Sequence, residues 1–369
     1  MSTGSKKLRE MAARCLMLGF EGFEPPPDAL RLLAAGAGGV ILFSRNVYSA
    51  GQVRSLTRRI RSEAAAPVLV SVDQEGGRVA RLRGIATDLP AMREVGLHGE
   101  EAAGNVGRLL GLELSALGFD IALSPVADVD TNPNNPVIGD RSFSSDPGEA
   151  ARLTVAFVSA LQQAGIGGCA KHFPGHGDTS VDSHVGLPIV RHDLDRLERV
   201  ELLPFSELAR AGVAMMMTAH IRVDSVDDRV PATLSRPVLD VLRGRLGYRG
   251  VVLTDDLEMA AISGRYDTGD AAVQALNAGC DMVLVCHRSD RQERVIEAVT
   301  EAVESGRLPR SRLEQCVRRI GDLSRRFAPG RSRPDWRVVL RSREHLDLAA
   351  ALTLSSPVPT GGSDPTALP

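Results

Sequence analysis

Eight short apolar or β-branched runs recur along the chain, most of them followed by a helical pattern. They are 15–20, 39–43, 68–73, 121–128, 168–173, 214–220, 250–256 and 282–286. Most are nearly continuous in hydrophobicity rather than alternating. A strand covered on both faces, as in a parallel sheet, has this pattern. Between them, 3.6-residue spacing predicts helices such as 52–63, 102–117, 148–164, 193–211, 239–246 and 270–278. Strand–helix alternation through eight strands over some 270 residues predicts an α/β fold, a single (β/α)8 TIM-type barrel. A doubly wound sheet is the alternative. It is disfavoured because no glycine-rich phosphate loop follows the first strand.

The expected division is a catalytic barrel over residues 1–330, a C-terminal extension over 331–354 and a disordered tail over 355–369. Arg310–Phe327 predicts a helix, APGRSRPDW a linker, and Ser342–Leu354 a short amphipathic piece. The tail SSPVPTGGSDPTALP is rich in Pro, Gly and Ser, a composition that cannot bury a core.

The formal net charge is −2, which excludes a strongly basic nucleic-acid binder and a polybasic membrane-surface protein. No stretch approaches the roughly 20 apolar residues that span a bilayer. The apolar stretch near the N-terminus is interrupted by Arg14 and Glu21 and is a poor signal-peptide core, so the expected location is cytoplasmic. Cys15, Cys169, Cys280, Cys286 and Cys316 form no CxxC pair and are expected as buried small hydrophobes in a reducing compartment.

In a barrel, functional residues gather at the C-terminal ends of the strands. Those ends carry Asp73, the segment SPVADVDTNPNNPVIGDRSF, Lys171-His172, Thr218-Ala219-His220, Thr254-Asp255-Asp256 and His287. The richest segment is KHFPGHGDTSVDSH. Gly175 and Gly177 in it predict a shaped and mobile loop. Asp182 and His184 lie two apart and share a side if extended, the spacing of a carboxylate that tunes an imidazole. The same loop supports a metal reading, with His172, His176, Asp178 and His184 as ligands.

At the end of the seventh strand, alternation lets only one of Asp255 and Asp256 face the mouth fully. A carboxylate there serves as nucleophile, base, metal ligand or helix cap. A nucleophilic carboxylate opposite a proton donor is the arrangement for retaining glycoside cleavage. Asp73, Arg81, Arg141 and Lys171 form a collar suited to sugar hydroxyls. With aromatics at 4%, a small polar pocket fits better than a long sugar-stacking cleft.

KHFPGHGDTSVDSH, VSVDQEGGRVARL, GDRSF and GVVLTDDLEM together resemble the family 3 glycoside hydrolases, and more narrowly their bacterial β-N-acetylhexosaminidases of peptidoglycan recycling. The resemblance runs from Leu16 to Cys286, with a helical continuation to 327. It implies Asp255 as nucleophile, His184 as acid/base and Asp182 as the group that orients and tunes His184. It implies Asp73, Arg81, Arg141, Lys171 and His172 as the residues that bind the terminal N-acetylglucosamine. It also implies no cofactor and no metal. The substrate implied is N-acetylglucosaminyl-1,6-anhydro-N-acetylmuramic acid with or without peptide, with no nucleic-acid or membrane partner.

Many family 3 β-glucosidases carry a second sandwich domain that supplies the proton donor. This chain keeps the DSH loop instead and is expected to belong to the one-domain branch. Alternatives are a β-N-acetylglucosaminide phosphorylase using the same aspartate and histidine, a metal-dependent barrel hydrolase, and a non-catalytic sugar sensor. Of the remaining residues, His98, His192 and His345 are expected to be surface or structural, and His176 to shape the loop. His220 is a candidate substrate contact, and Asp128 is expected to buttress Arg141.

Overall fold

The computed structural model describes residues 3–179, 183, 186–328, 333–353 and 364. Its eight main strands are β1 (Leu16–Leu18), β2 (Gly39–Leu42), β3 (Leu69–Val72), β4 (Ile121–Ala122), β5 (Gly167–Phe173), β6 (Met215–Thr218), β7 (Val251–Asp256) and β8 (Met282–Val285). They pair in chain order, all parallel, and β1 closes on β8 with Leu16 opposite Val283. The expected barrel is therefore present. In this circle β3 and β7 stand on opposite sides of the mouth.

Both faces of every strand are covered, which explains the continuous apolar runs. The strand interiors and the inner faces of the helices form one hydrophobic core, from Leu16 and Val40 through Phe119, Phe157 and Phe205 to Val299 and Ile320. Polar side chains fix where several helices start. Ser49, Asp146, Asp193, Ser235 and Asp267 each accept a backbone N–H of the following turn.

Two expectations are corrected by proline. Residues 121–128 do not form one continuous strand: regular pairing ends at Ala122 and resumes only as a bridge between Val126 and Lys171. Pro125 has no N–H to give the ladder. The expected helix 193–211 is two helices, Leu194–Arg199 and Leu203–Arg210. Pro204 sits in the first turn of the second, where its ring is tolerated. Likewise 239–246 is a short α-helix, Arg236–Asp240, continuing as one π-helical turn, Val241–Arg245. Helices at Thr3–Arg14, Pro27–Ala34 and Ser289–Glu304 add to those singled out in the sequence.

Helix Arg310–Phe327 has the expected bounds, and the short amphipathic piece is helical over Arg343–Leu352. The expected disordered tail lies outside the described residues except for Asp364. All five cysteines are buried and unpaired. Among the described residues, no helix is long and apolar enough to cross a membrane.

Candidate active site

The C-terminal ends of the strands surround a cavity of about 640 Å³ open to solvent. Asp73, Arg141, Lys171, His172, His176, Asp255 and Asp256 all line it. Such an arrangement, with several polar side chains converging in one recess, is what a small polar ligand requires.

Each side chain is held by a neighbour. Glu75 grips Arg141 in a two-bond fork, Nε to Oε2 at 2.8 Å and Nη2 to Oε1 at 2.9 Å. The Lys171 ammonium lies 2.5 Å from both Asp73 Oδ1 and Glu75 Oε1. Burial alone would push the Glu75 carboxyl up, but Arg141 and Lys171 together hold it far below the usual carboxylate range. Burial likewise opposes the Lys171 charge, and Asp73 and Glu75 more than restore it. The cradle is thus a locked lattice of charges whose outward donors and acceptors keep fixed directions. Glu75 is not among the residues singled out in the sequence. Its place between Gln74 and Gly76 in the DQEGG block, just past the end of β3, is the available signal.

Arg81 follows the small hairpin Gln74–Gly76/Val79–Ala80. Its Nη2 is 3.9 Å from Asp73 Oδ2, and its side chain also pairs with Asp364.

Asp128, expected to buttress Arg141, makes no hydrogen bond to that guanidinium, which Glu75 holds, and favours its charge only from a distance. Instead it accepts the His172 backbone N–H at 3.1 Å and contacts the His172 ring Nδ1 at 2.8 Å. It also accepts the His176 backbone N–H at 2.7 Å. Burial raises the Asp128 carboxyl, but the His172 charge and hydrogen bond bring it below its ordinary value. With Nδ1 committed to Asp128, Nε2 is the nitrogen His172 has left to present elsewhere.

His176 shapes the loop after β5. Its ring meets Thr179 Oγ1 at 2.7 Å and Ser183 Oγ at 3.3 Å. Burial, then the nearby His172, lower its pKa to about 4, so it is neutral near pH 7. The two glycines of this loop serve different needs. Gly175 has φ +125°, a region that favours glycine, and a Cβ on Gly177 would sit 1.7 Å from the Val129 carbonyl oxygen. Asp178 pairs with His192. Asp182 and His184, the expected tuning carboxylate and acid/base, lie outside the described residues.

Asp255 and Asp256 both touch the cavity, but Asp256 is buried and Asp255 is the partly exposed member of the pair, in keeping with only one of them facing the mouth fully. The register of β7 against β8 shifts between Leu253 and Asp256. The Asp256 N–H donates to Asp255 Oδ1 at 2.8 Å. Asp256 Oδ1 accepts the backbone N–H groups of Glu258 and Cys286, and Oδ2 is 3.7 Å from His287 Nε2. Burial, then the charge of Glu258, raise the Asp256 carboxyl to about 7.

His220 is not placed as the candidate substrate contact expected of it. Its buried ring instead meets Thr233 Oγ1 at 2.8 Å and the Asp256 carbonyl oxygen at 2.9 Å, so it supports the backbone of the aspartate pair. Since a carbonyl only accepts, Nε2 carries the proton in that bond. Among the other histidines, His98 is exposed and His345 is buried against Glu113.

His287, at the strand end where the sequence places it, also lines the recess, together with Phe43, which the sequence did not single out. They form a stacked pair with centroids 6.1 Å apart, and the Arg45 guanidinium lies 4.3 Å from the Phe43 ring centroid. Among the described residues, no group of three or more His, Cys, Asp or Glu side chains is arranged to hold a metal ion.

Residues 28–323 match the glycosyl hydrolase family 3 N terminal domain. Over 328 residues the chain is 39% identical to β-hexosaminidase A of Pseudoalteromonas piscicida, spanning 81% of this chain and 55% of that protein. It thus spans about half the length of that relative. Over 276 residues it is 42% identical to a β-hexosaminidase of Neisseria meningitidis serogroup C, covering 72% of this chain and 76% of the relative. Its fold is similar to a family 3 β-N-acetylglucosaminidase from Paenibacillus sp., with a TM-score of 0.88 and 41% identity over 94% of this chain and 68% of that one.

Proposed function

The chain belongs to glycosyl hydrolase family 3, as a β-N-acetylhexosaminidase of the bacterial type, and from that premise we propose that it is a retaining exo-β-N-acetylglucosaminidase. Its substrate in this reading is a peptidoglycan fragment, N-acetylglucosaminyl-1,6-anhydro-N-acetylmuramic acid with or without its peptide. The catalytic unit is the barrel of residues 1–330, with 331–354 an extension.

The observation that carries this reading is the opposition of two groups across one recess. Asp73, Lys171 and Arg141 present a fixed cradle of donors and acceptors, and Asp255 stands on β7, across the mouth from β3. A terminal sugar held by its hydroxyls in the cradle turns its anomeric carbon toward Asp255.

In the first step the Asp255 carboxylate attacks the anomeric carbon while His184 gives a proton to the glycosidic oxygen. The glycosidic bond breaks and a glycosyl-aspartate forms. In the second step neutral His184 takes a proton from water, whose oxygen displaces Asp255 and restores the β configuration. Asp182 stabilises the imidazolium form of His184. The Asp256 N–H donates to Asp255 Oδ1 and orients that carboxylate.

The test is release of 4-nitrophenol from its β-N-acetylglucosaminide and from its β-glucoside, with EDTA present and phosphate absent. Release from the first alone is expected. Activity that appears only with phosphate assigns a phosphorylase, and activity lost to EDTA and restored by zinc assigns a metal enzyme.

A further inference from the structure

Of the described residues that line the cavity, only Phe43, Asp255 and His287 are partly exposed, and all the others are buried. These three therefore border its opening. Phe43 follows β2 and His287 follows β8, on either side of β1 in the closed circle. Asp255 stands on β7, the strand next to β8.

Both rings are held from behind through the backbone. The Phe43 N–H donates to Asn46 Oδ1 at 2.9 Å, and Asn46 Nδ2 donates to the Phe20 and Gly22 carbonyls at 3.0 and 2.8 Å. Arg45 closes the same corner, with Nε on the Phe20 carbonyl at 3.1 Å and Nη2 on the Cys286 carbonyl at 2.7 Å. The His287 N–H donates to Glu258 Oε2 at 2.6 Å. Hydrogen bonds thus fix the loops after β1, β2, β7 and β8 against one another. None of these bonds uses the imidazole. Its Nε2 is 3.7 Å from Asp256 Oδ2, and among the described residues the ring makes no hydrogen bond. Burial, then the charge of Arg45, lower its pKa, so near pH 7 it is neutral, with one nitrogen to donate and one to accept.

We propose that Phe43 and His287 form the wall of a subsite for the leaving saccharide, with Phe43 against the C–H face of its ring and His287 bonded to one of its hydroxyls. The inference rests on the functional reading above, in which the anomeric carbon faces Asp255. The leaving group is attached to that carbon, so it emerges at the opening, where these two rings are the exposed neighbours of Asp255. A pyranose has an apolar C–H face and a polar hydroxyl edge. An aromatic ring beside an imidazole with unused nitrogens matches both. Because the wall is fixed before the ligand arrives, little side-chain freedom is lost on binding. The leaving group this wall favours is a second sugar ring rather than a small alkyl group.

The test compares the full-length wild type with Phe43→Leu, His287→Ala and His287→Gln on N,N′-diacetylchitobiose and on methyl β-N-acetylglucosaminide. Both substrates lose an alkoxide, but only the first carries a second ring. Released N-acetylglucosamine is measured, and thermal unfolding of each protein is followed alongside. Phe43→Leu and His287→Ala are each expected to lower kcat/KM on the disaccharide about tenfold or more, and on the methyl glycoside several times less. His287→Gln keeps a donor and an acceptor and should retain more of the disaccharide rate than His287→Ala. Unchanged constants on the disaccharide overturn the proposal. So do equal losses on both substrates, which would assign the wall to the terminal sugar or to the fold. A wild type that cleaves neither substrate refutes the functional reading instead, before any variant is considered.

Discussion

The Asp128 carboxylate holds His172 twice, through its backbone N–H and through its ring Nδ1. One side chain therefore fixes both the path of the chain at the end of β5 and the tautomer of the imidazole it presents. A third bond, from the His176 N–H, ties the start of the glycine loop to the same carboxylate.

Replacing Asp128 by Ala should leave those buried N–H groups unpaired. Unfolding by urea is expected to show a loss of about 1–3 kcal/mol for each buried donor left without a partner. Activity on the aryl N-acetylglucosaminide should fall with it. A variant as stable as the wild type would contradict the role given to Asp128.

Glu75→Gln keeps the shape of the Arg141–Lys171 bridge and removes its charge. Two buried cations then lose their shared counter-ion, a change expected to cost about 3–5 kcal/mol of stability. KM should rise, because Arg141 and Lys171 lose the partner that aims them. Denaturant titration and steady-state kinetics on the same preparation read both effects.

Asp255→Ala removes the proposed nucleophile from a half-exposed position at the strand end. Turnover should be abolished while the melting temperature stays close to that of the wild type. Near-normal nitrophenol release in this variant would remove the glycosyl-aspartate step.

Gly177→Ala drives a methyl group into the Val129 carbonyl, so the loop after β5 must shift. Activity should fall more than stability, since the displaced segment carries His176 and leads to His184. Kinetics and thermal unfolding of one variant separate the two.

Asp256 offers a pH test. Its carboxyl is raised to about 7 in the folded protein, against an ordinary value of 3.8. Between those values the folded state keeps a proton that the unfolded chain has lost, so this group's contribution to stability falls as pH rises. The slope is about 1.4 kcal/mol per pH unit within that window. His176 acts in the opposite sense, because a base lowered to about 4 costs stability as pH falls from 6.5 toward that value. Asp256→Asn should therefore gain stability relative to the wild type as pH rises from 4 to 7. Unfolding free energies of both proteins across that range give the comparison.

Local pattern is enough to predict the barrel. Eight apolar runs, each short and unbroken, require cover on both faces, and one parallel sheet closed on itself provides it. The same logic puts Asp73, Lys171, His172 and Asp255 at strand ends, hence in one layer around the mouth. Departures come where backbone chemistry interrupts a pattern, at Pro125 in β4 and at Pro204 between two helices.

What the sequence by itself determined is the set of strands, their parallel order and the residue types delivered to the C-terminal face. These follow from hydrophobic period and chain direction, which are local properties. Only the tertiary structure decided which charge meets which: Glu75 with Arg141 rather than Asp128 with it, Asp128 with His172, His220 beneath Asp256, and Asp364 against Arg81. These pairs join residues 36 to 283 positions apart. No local pattern encodes such partners, because they are set by the closure of the barrel and the return of the C-terminal arm.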